Sequence, residues 1–144
     1  MRWWKIAMIV FALAFCVAQF IRPERSNSPA DPRASFENAA HPPPLVAGIL
    51  ARACGNCHSD RTVWPWYSKV APVSWLVASD VSEGRGKLNL SRWTDYSPEK
   101  AASKLKAMCS EMRSGDMPPW YYRPVHPEAK LTAEDVAAVC AVAP

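Results

Sequence analysis

The chain has 144 residues, with 17 basic against 13 acidic side chains and a formal charge of +4. Arg2 and Lys5 sit in the leader; without them 15 basic residues face 13 acidic ones, too even a balance for a nucleic-acid-binding face. Residues 44–144 hold chain enough for one small domain, whose apolar core would be marginal without extra support.

Met1-Arg2-Trp3-Trp4-Lys5 forms a short positive leader, and residues 6–21 carry no charge at all. A helix over those 16 residues rises about 24 Å, short of a hydrocarbon core of ~30 Å. Trp3 and Trp4 at headgroup level, with Lys5 and Arg22 reaching outward, would make up the difference. The segment reads as an uncleaved, single-pass anchor lying in the lipid bilayer through residues 6–21. A cleaved signal sequence is the alternative, although Cys16-Val17-Ala18 makes a poor cleavage site. Residues 22–43 are rich in Pro, Ser, Ala and Asn without apolar periodicity. They read as a flexible tether, extended at about 3.1 Å per residue, that holds the domain clear of the membrane. Phe36 and His41 stand out in it, and His41 reads as a solvated linker side chain. The chain thus divides into an anchor or signal at 1–21, a tether at 22–43 and a domain at 44–144.

Pro43-Pro44 opens a short helix, with Leu45, Ile49 and Leu50 or Val46, Ile49 and Ala53 on one side, leading directly into Cys54-Gly55-Asn56-Cys57-His58. Two thiols three positions apart can add to the two vinyl groups of one haem, and the adjoining histidine then stands where its imidazole can bind the iron. Zinc would need a second ligand pair, and Cys109 and Cys140 belong to no short Cys or His pair. A thioredoxin-like thiol pair would need a βαβ setting, which is not visible. Haem attachment at such a motif takes place outside the cytoplasm in bacteria. The expected location is therefore the bacterial cytoplasmic membrane, with the haem domain on the periplasmic side.

Pro72 starts a second helix, with Val73, Leu76, Val77 and Val81 at helical spacing and Gly84 and Gly86 ending it. Ser97-Pro98 is an N-cap with a first-turn proline, followed by a stripe of Ala101, Leu105, Met108, Cys109 and Met112 closed by Gly115. Thr132-x-x-Asp135 has the form of a capping box, with Val136, Val139 and Cys140 facing inward. No segment alternates as a strand. The expected fold is all-α: a small cytochrome c-like haem domain of about four helices behind one N-terminal transmembrane helix.

Haem iron with one histidine needs a second axial ligand or keeps an open position. Met117, in Gly115-Asp116-Met117-Pro118-Pro119, is the leading candidate for the distal ligand, since two prolines stiffen the backbone after it. His126 is the runner-up, and Met108 and Met112 read as core filling. Trp64, Trp75 and Trp93 are candidates to wall the macrocycle, and Arg61, Arg85 and Arg92 to pair with its propionates. A backbone carbonyl near Pro72 is the expected acceptor for the His58 Nδ1 proton. Cys109 and Cys140 either pair, closing a loop worth about 3 to 4 kcal/mol, or stay as buried free thiols.

Cys54 to Ser59, the run Thr62-Val63-Trp64-Pro65-Trp66-Tyr67-Ser68, and Ala71-Pro72-Val73-Ser74-Trp75-Leu76 together resemble the bacterial haem-binding domain family of monohaem cytochromes. Glu83-Gly84-Arg85, Leu88 to Trp93, Met117-Pro118-Pro119 and His126-Pro127-Glu128-Ala129 extend the resemblance over residues 45 to 140. It implies one covalent c-type haem at Cys54, Cys57 and His58, in an exported or membrane-anchored protein, and no settled partner. The expected function is single-electron relay by a non-enzymatic cytochrome, between redox partner proteins at the membrane. The alternatives are a haem enzyme or gas or redox sensor with an open axial position, and a haem subunit of a larger membrane complex.

Overall fold

In the computed structural model, which describes residues 2–143, those residues form six α-helices joined by turns and short 3-10 segments, with no strand among them. Helix α1, Trp3–Ala18, is made almost wholly of apolar residues and buries none of them. It is 16 residues long, and among the described residues no helix is long and apolar enough to cross a membrane.

Residues 22–43 do not hang free, and the expectation of a flexible tether is corrected. Arg25 Nη1 donates to the Ser68 carbonyl at 2.9 Å, Asn27 Nδ2 to the Thr62 carbonyl at 3.0 Å, and Arg85 Nη1 to the Ser26 carbonyl at 2.9 Å. Ser35 caps the short helix α2, Phe36–Ala40, by accepting from the Asn38 N–H. The cap places Phe36 in the core, 5% exposed and edge-on to Trp93 at 4.7 Å between ring centroids. His41 ends α2 in the left-handed region at φ 46°. One aromatic at one helical turn fastens the segment, and main-chain carbonyls hold the rest. Neither device leaves an apolar period to read.

Four helices build the body of the domain. Helix α3, Pro44–Ala53, begins on its prolines as the sequence suggests and buries Val46, Ile49, Leu50 and Ala53. Helix α4, Val73–Lys87, runs through both glycines that were expected to end it. Gly84 stays helical and lies against Cys57, where an added Cβ would come within 2.6 Å of the carbonyl oxygen. The helix stops only where Leu88 turns extended, at φ −151°. Helix α5, Pro98–Ser114, is capped by Ser97 and closed by Gly115 at φ 80°, a conformation that favours glycine. Helix α6, Ala133–Cys140, carries the capping box of Thr132 and Asp135.

Val46, Ile49 and Leu50 of α3 meet Met108 and Met112 of α5, Val139 of α6, and Leu88, Leu90 and Trp93. Arg52 Nη2 on α3 reaches Asp135 Oδ2 on α6 at 2.5 Å, and Arg52 Nη1 donates to the Glu128 carbonyl at 2.7 Å. Cys109 and Cys140 form a disulfide between α5 and α6, with Cα atoms 5.0 Å apart.

A polar knot ties the loop after α3 to the 3-10 segment Leu90–Asp95. The Asp60 side chain is only 3% exposed and accepts from Asn89 Nδ2 at 3.0 Å and Arg92 Nε at 2.8 Å. Arg85, a second charge 3.6 Å away, also donates to the Ser59 carbonyl and to Thr62. Burial alone would raise the Asp60 pKa, but the hydrogen bonds from Arg92 and Asn89 and the two guanidinium charges hold it below the usual carboxylate range. Arg85 and Arg92, read from sequence as propionate partners, are committed to this knot instead.

Two stability measurements check these contacts. Phe36→Ala should cost about 3 to 5 kcal/mol in denaturant unfolding, the cost of emptying a core aromatic site; a solvated tether side chain would change stability by less than ~0.5 kcal/mol. Asp60→Asn should lower stability by about 1 to 3 kcal/mol at pH 7. Because the folded-state pKa is depressed, the carboxylate's contribution is fully present above the unfolded value of about 4 and is lost as pH falls through the folded value. The gap between variant and parent should therefore narrow below about pH 4, and a gap that widens there would contradict the assignment.

Candidate functional site

The end of α3 continues for one more turn into the cysteine motif. Cys54 N–H and Gly55 N–H both donate to the Leu50 carbonyl, at 3.0 and 2.9 Å, and His58 N–H donates to the Cys54 carbonyl at 2.9 Å. Gly55 is pressed so close that a Cβ would meet the Ala51 carbonyl oxygen at 2.8 Å. This winding brings Cys54, Cys57 and His58 to one cavity of about 450 Å³, which Met117 also lines. That volume lies in the range of about 300 to 1,000 Å³ usual for cofactor sites. Leu88, Met108, Met112 and Pro118 supply apolar wall, and Lys87, Lys104, Glu83 and Glu111 stand around it with mixed charge.

Cys54 and Cys57 are free thiols. Burial, aided by the neighbouring Cys57, pushes the Cys54 thiol up to about 12; burial, aided by the charge of Asp80, pushes Cys57 up to about 11. Both are therefore neutral thiols in the folded chain at physiological pH, and poor nucleophiles. The described residues contain no group of three or more His, Cys, Asp or Glu side chains placed to hold a metal ion, so no second ligand pair for zinc joins this one.

The His58 ring is fixed by two main-chain carbonyls. Nδ1 lies 2.9 Å from the Gly84 oxygen and 3.1 Å from the Leu88 oxygen. Carbonyls only accept, so Nδ1 carries the proton and Nε2 keeps a free lone pair. Burial lowers the His58 pKa, against the opposing pull of the Leu88 and Gly84 bonds, which favours the neutral imidazole that a metal needs. The acceptor expected near Pro72 thus lies at the other end of the same helix. The Gly84 carbonyl also accepts the Leu88 N–H at 2.8 Å, so the ring N–H is its second donor.

Met117 lies in a loop folded back on the end of α5, with its N–H donating to the Glu111 carbonyl at 3.2 Å. It is half-buried, and Pro118 behind it is buried. His126 lies elsewhere. It lines a neighbouring cavity of about 360 Å³ and not the one that holds His58. Its Nδ1 is 2.8 Å from Glu128 Oε1, its Nε2 is 2.5 Å from the Tyr67 hydroxyl, and its ring stacks on Tyr122 at 4.0 Å. Both nitrogens are thereby engaged.

The aromatic expectations are corrected in detail. Trp93 packs in the core between Phe36 and Tyr96, and the Trp75 indole N–H donates to the Ile21 carbonyl at 2.8 Å. Trp64 carries a buried indole N–H without a partner, but neither it nor the other two line the cavity that holds His58. The rings that do are Tyr121 and Tyr122, and Asn56 Nδ2 donates to the Tyr122 hydroxyl at 3.1 Å. Two residues have roles at the site that the sequence does not single out. Tyr122 is placed by the Pro118-Pro119 loop, a signal visible in the sequence. Gly84 supplies both the carbonyl for His58 and the missing side chain that lets α4 touch Cys57, and a glycine inside a helical period was the available hint.

Two thiols, a neutral imidazole with a free nitrogen and a thioether around one apolar-walled cavity make a donor set that fits a haem. No curated protein and no solved structure matches the chain. A family model described as a haem-binding domain does match, over residues 13–143, so it includes every donor named above. The chain belongs to this haem-binding domain family.

Proposed function

We propose that the protein is a membrane-anchored, monohaem c-type cytochrome that relays single electrons. The observation that carries this reading is the meeting of Cys54, Cys57, His58 and Met117 on one cavity. Cys54 and Cys57 would hold the macrocycle by two thioether bonds, His58 Nε2 would be the proximal iron ligand and Met117 the distal one. The bound group would supply a metal centre that changes oxidation state by one electron.

The chain's own part is placement and shielding. Gly84 and Leu88 orient the imidazole, and the Glu111 carbonyl braces the loop that presents the thioether. Met108, Met112, Leu88 and Pro118 keep water from the cavity wall. A thioether favours the ferrous state and raises the potential, which suits a carrier. The engagement of both His126 nitrogens supports Met117 over His126, and weighs against an enzyme that would use this imidazole for acid–base chemistry. Lysines and glutamates together at the cavity suit transient docking by redox partner proteins.

Helix α1 supports the anchor reading because its surface is apolar and buries nothing against the domain. Phe20 and Ile21, both exposed, lengthen the apolar run beyond the helix end, and Arg2, Lys5 and Arg22 flank it. On this reading the domain lies on the periplasmic side of a bacterial cytoplasmic membrane, consistent with the Cys109–Cys140 disulfide of an oxidising compartment.

Optical spectra of the chain, made in a host that matures c-type haem, test the ligand set. The parent should show low-spin ferrous bands indifferent to carbon monoxide. Met117→Ala should bind carbon monoxide and have a lower reduction potential while its haem stays attached; if His126→Ala does so instead, the distal ligand is misassigned. Attachment has a separate test. After denaturation and organic extraction, haem should stay with the parent polypeptide and be released from the Cys54→Ser, Cys57→Ser double variant, and retention by that variant would refute thioether linkage.

A further inference from the structure

The second cavity, of about 360 Å³, is lined by Cys57 but by neither His58 nor Met117. Its walls are apolar, among them Val63, Val73, Leu76 and Val125, with Trp66 closing one side. Trp66 is 77% exposed and Leu76 47%, so the cavity is open to the outside between them. It shares Asn56, Cys57, Asp80, Tyr121 and Tyr122 with the first cavity, and these residues form the wall between the two.

Two polar groups of this cavity, Tyr67 and Asp80, offer lone pairs. With Glu128 beside Nδ1, the His126 ring keeps its proton there, and Nε2 accepts from the Tyr67 hydroxyl. The proton of Tyr67 is thus committed, and its oxygen offers only lone pairs. Burial holds the Tyr67 pKa above the usual phenol value, so the group stays a phenol. Asp80 already accepts from the Tyr121 hydroxyl and keeps further lone pairs. A largely apolar molecule with a hydroxyl to donate fits these lone pairs, while the Tyr122 hydroxyl, which accepts from Asn56 Nδ2, keeps its own proton to give.

The position of the opening narrows the choice. Val73 and Leu76 lie in the first turns of α4, where the end of the N-terminal apolar segment is fastened. Gln19 pairs with the Ala71 main chain, accepting its N–H at 3.0 Å and donating to its oxygen at 3.3 Å, and Trp75 donates to the Ile21 carbonyl. A lipophilic molecule leaving a bilayer beside α1 would meet this opening. A flat ring behind the wall of the redox site is in place to exchange electrons with it.

We infer that the second cavity binds a lipophilic hydroxyaromatic molecule of the hydroquinone class, held by a hydrogen bond from its hydroxyl to the Tyr67 oxygen. The choice of a redox-active ring rests on the electron-relay reading; the cavity and its acceptors do not.

Calorimetric titration of the full chain in detergent micelles, with its haem, tests the inference using trimethylhydroquinone under anaerobic, reducing conditions. Binding should saturate, and the dimethyl ether of the same ring, which has no donor, should bind several-fold more weakly. Tyr67→Phe keeps the ring but removes the acceptor, and should weaken binding about 3- to 10-fold, the effect of one neutral hydrogen bond. Leu76→Trp, at a half-exposed position, should fill the space and abolish saturable binding; circular dichroism on both variants checks that they are folded. Uptake that never saturates, equal affinity for the ether, or unchanged binding by Leu76→Trp would overturn the proposal. Haem content is read independently on each preparation. A failed haem assignment is therefore seen apart from a failed cavity assignment, since the chain alone forms the cavity.

Discussion

The closest constraint in the molecule is the contact between the last turn of α4 and the cysteine motif. Gly84 lies against the Cys57 main chain with no room for a Cβ, and its carbonyl shares the His58 Nδ1 proton with that of Leu88. One helix end thus sets the height of the motif, the rotation of the imidazole and its tautomer. The Leu90 N–H then donates to the His58 carbonyl at 2.7 Å, so the histidine is held through its ring and its main chain. The same stretch feeds Leu88, Leu90 and Trp93 into the core, where α3, α5 and α6 meet. Ligand geometry and core packing are therefore a single problem, because the residues after α4 serve both.

The segment between α1 and α3 follows from the same economy. A domain of about 100 residues has little apolar surface to bury, and this one gains an aromatic anchor from outside its helical body. Phe36 enters the core beside Trp93, while Arg25 and Asn27 bond the carbonyls of Ser68 and Thr62. Those acceptors sit near the Trp-Pro-Trp-Tyr-Ser run, which the loop at residues 22–27 therefore helps to fix. A freely jointed tether would let the domain roam. The bonded segment, with Gln19 on Ala71 and Ile21 on Trp75, holds one face of the domain next to the apolar helix.

What could be read from the sequence followed from local rules. Ser97, Thr132 with Asp135, and Gly115 mark helix ends by their own hydrogen bonds or backbone preference, and each stands where the residues suggest. The helical period gave the buried positions of α5 but left two faces open for α3, where Val46, Ile49, Leu50 and Ala53 are buried and Leu45 is exposed, and the cysteine motif needed only three named residues. The misreadings share one cause, which is tertiary contact. Gly84 and Gly86 weaken isolated helices, yet α4 passes through both; at Gly84 the packing against Cys57 requires the missing side chain, whereas Gly86 meets nothing. Arg85 and Arg92 looked free for an anionic group, but a buried aspartate 25 or more positions away claims both. Carbonyl acceptors have no residue type, so neither the partner of His58 nor the docking of residues 22–43 could be read from composition.

The two cavities explain why the chain places its imidazoles and its thioether as it does. His58 is presented with one nitrogen free, whereas His126 is stacked on Tyr122 and hydrogen-bonded at both nitrogens. An imidazole so engaged cannot turn to meet a ligand without giving up two hydrogen bonds and a stacked ring. That arrangement leaves Met117 to face the first cavity and leaves Tyr67 as an acceptor facing the second. The wall between them consists of Asn56, Cys57, Asp80, Tyr121 and Tyr122, with Asn56 Nδ2 bracing the Tyr122 hydroxyl. Tyr122 thus joins the two sides, through its stack on His126 and its hydrogen bond from Asn56 of the cysteine motif.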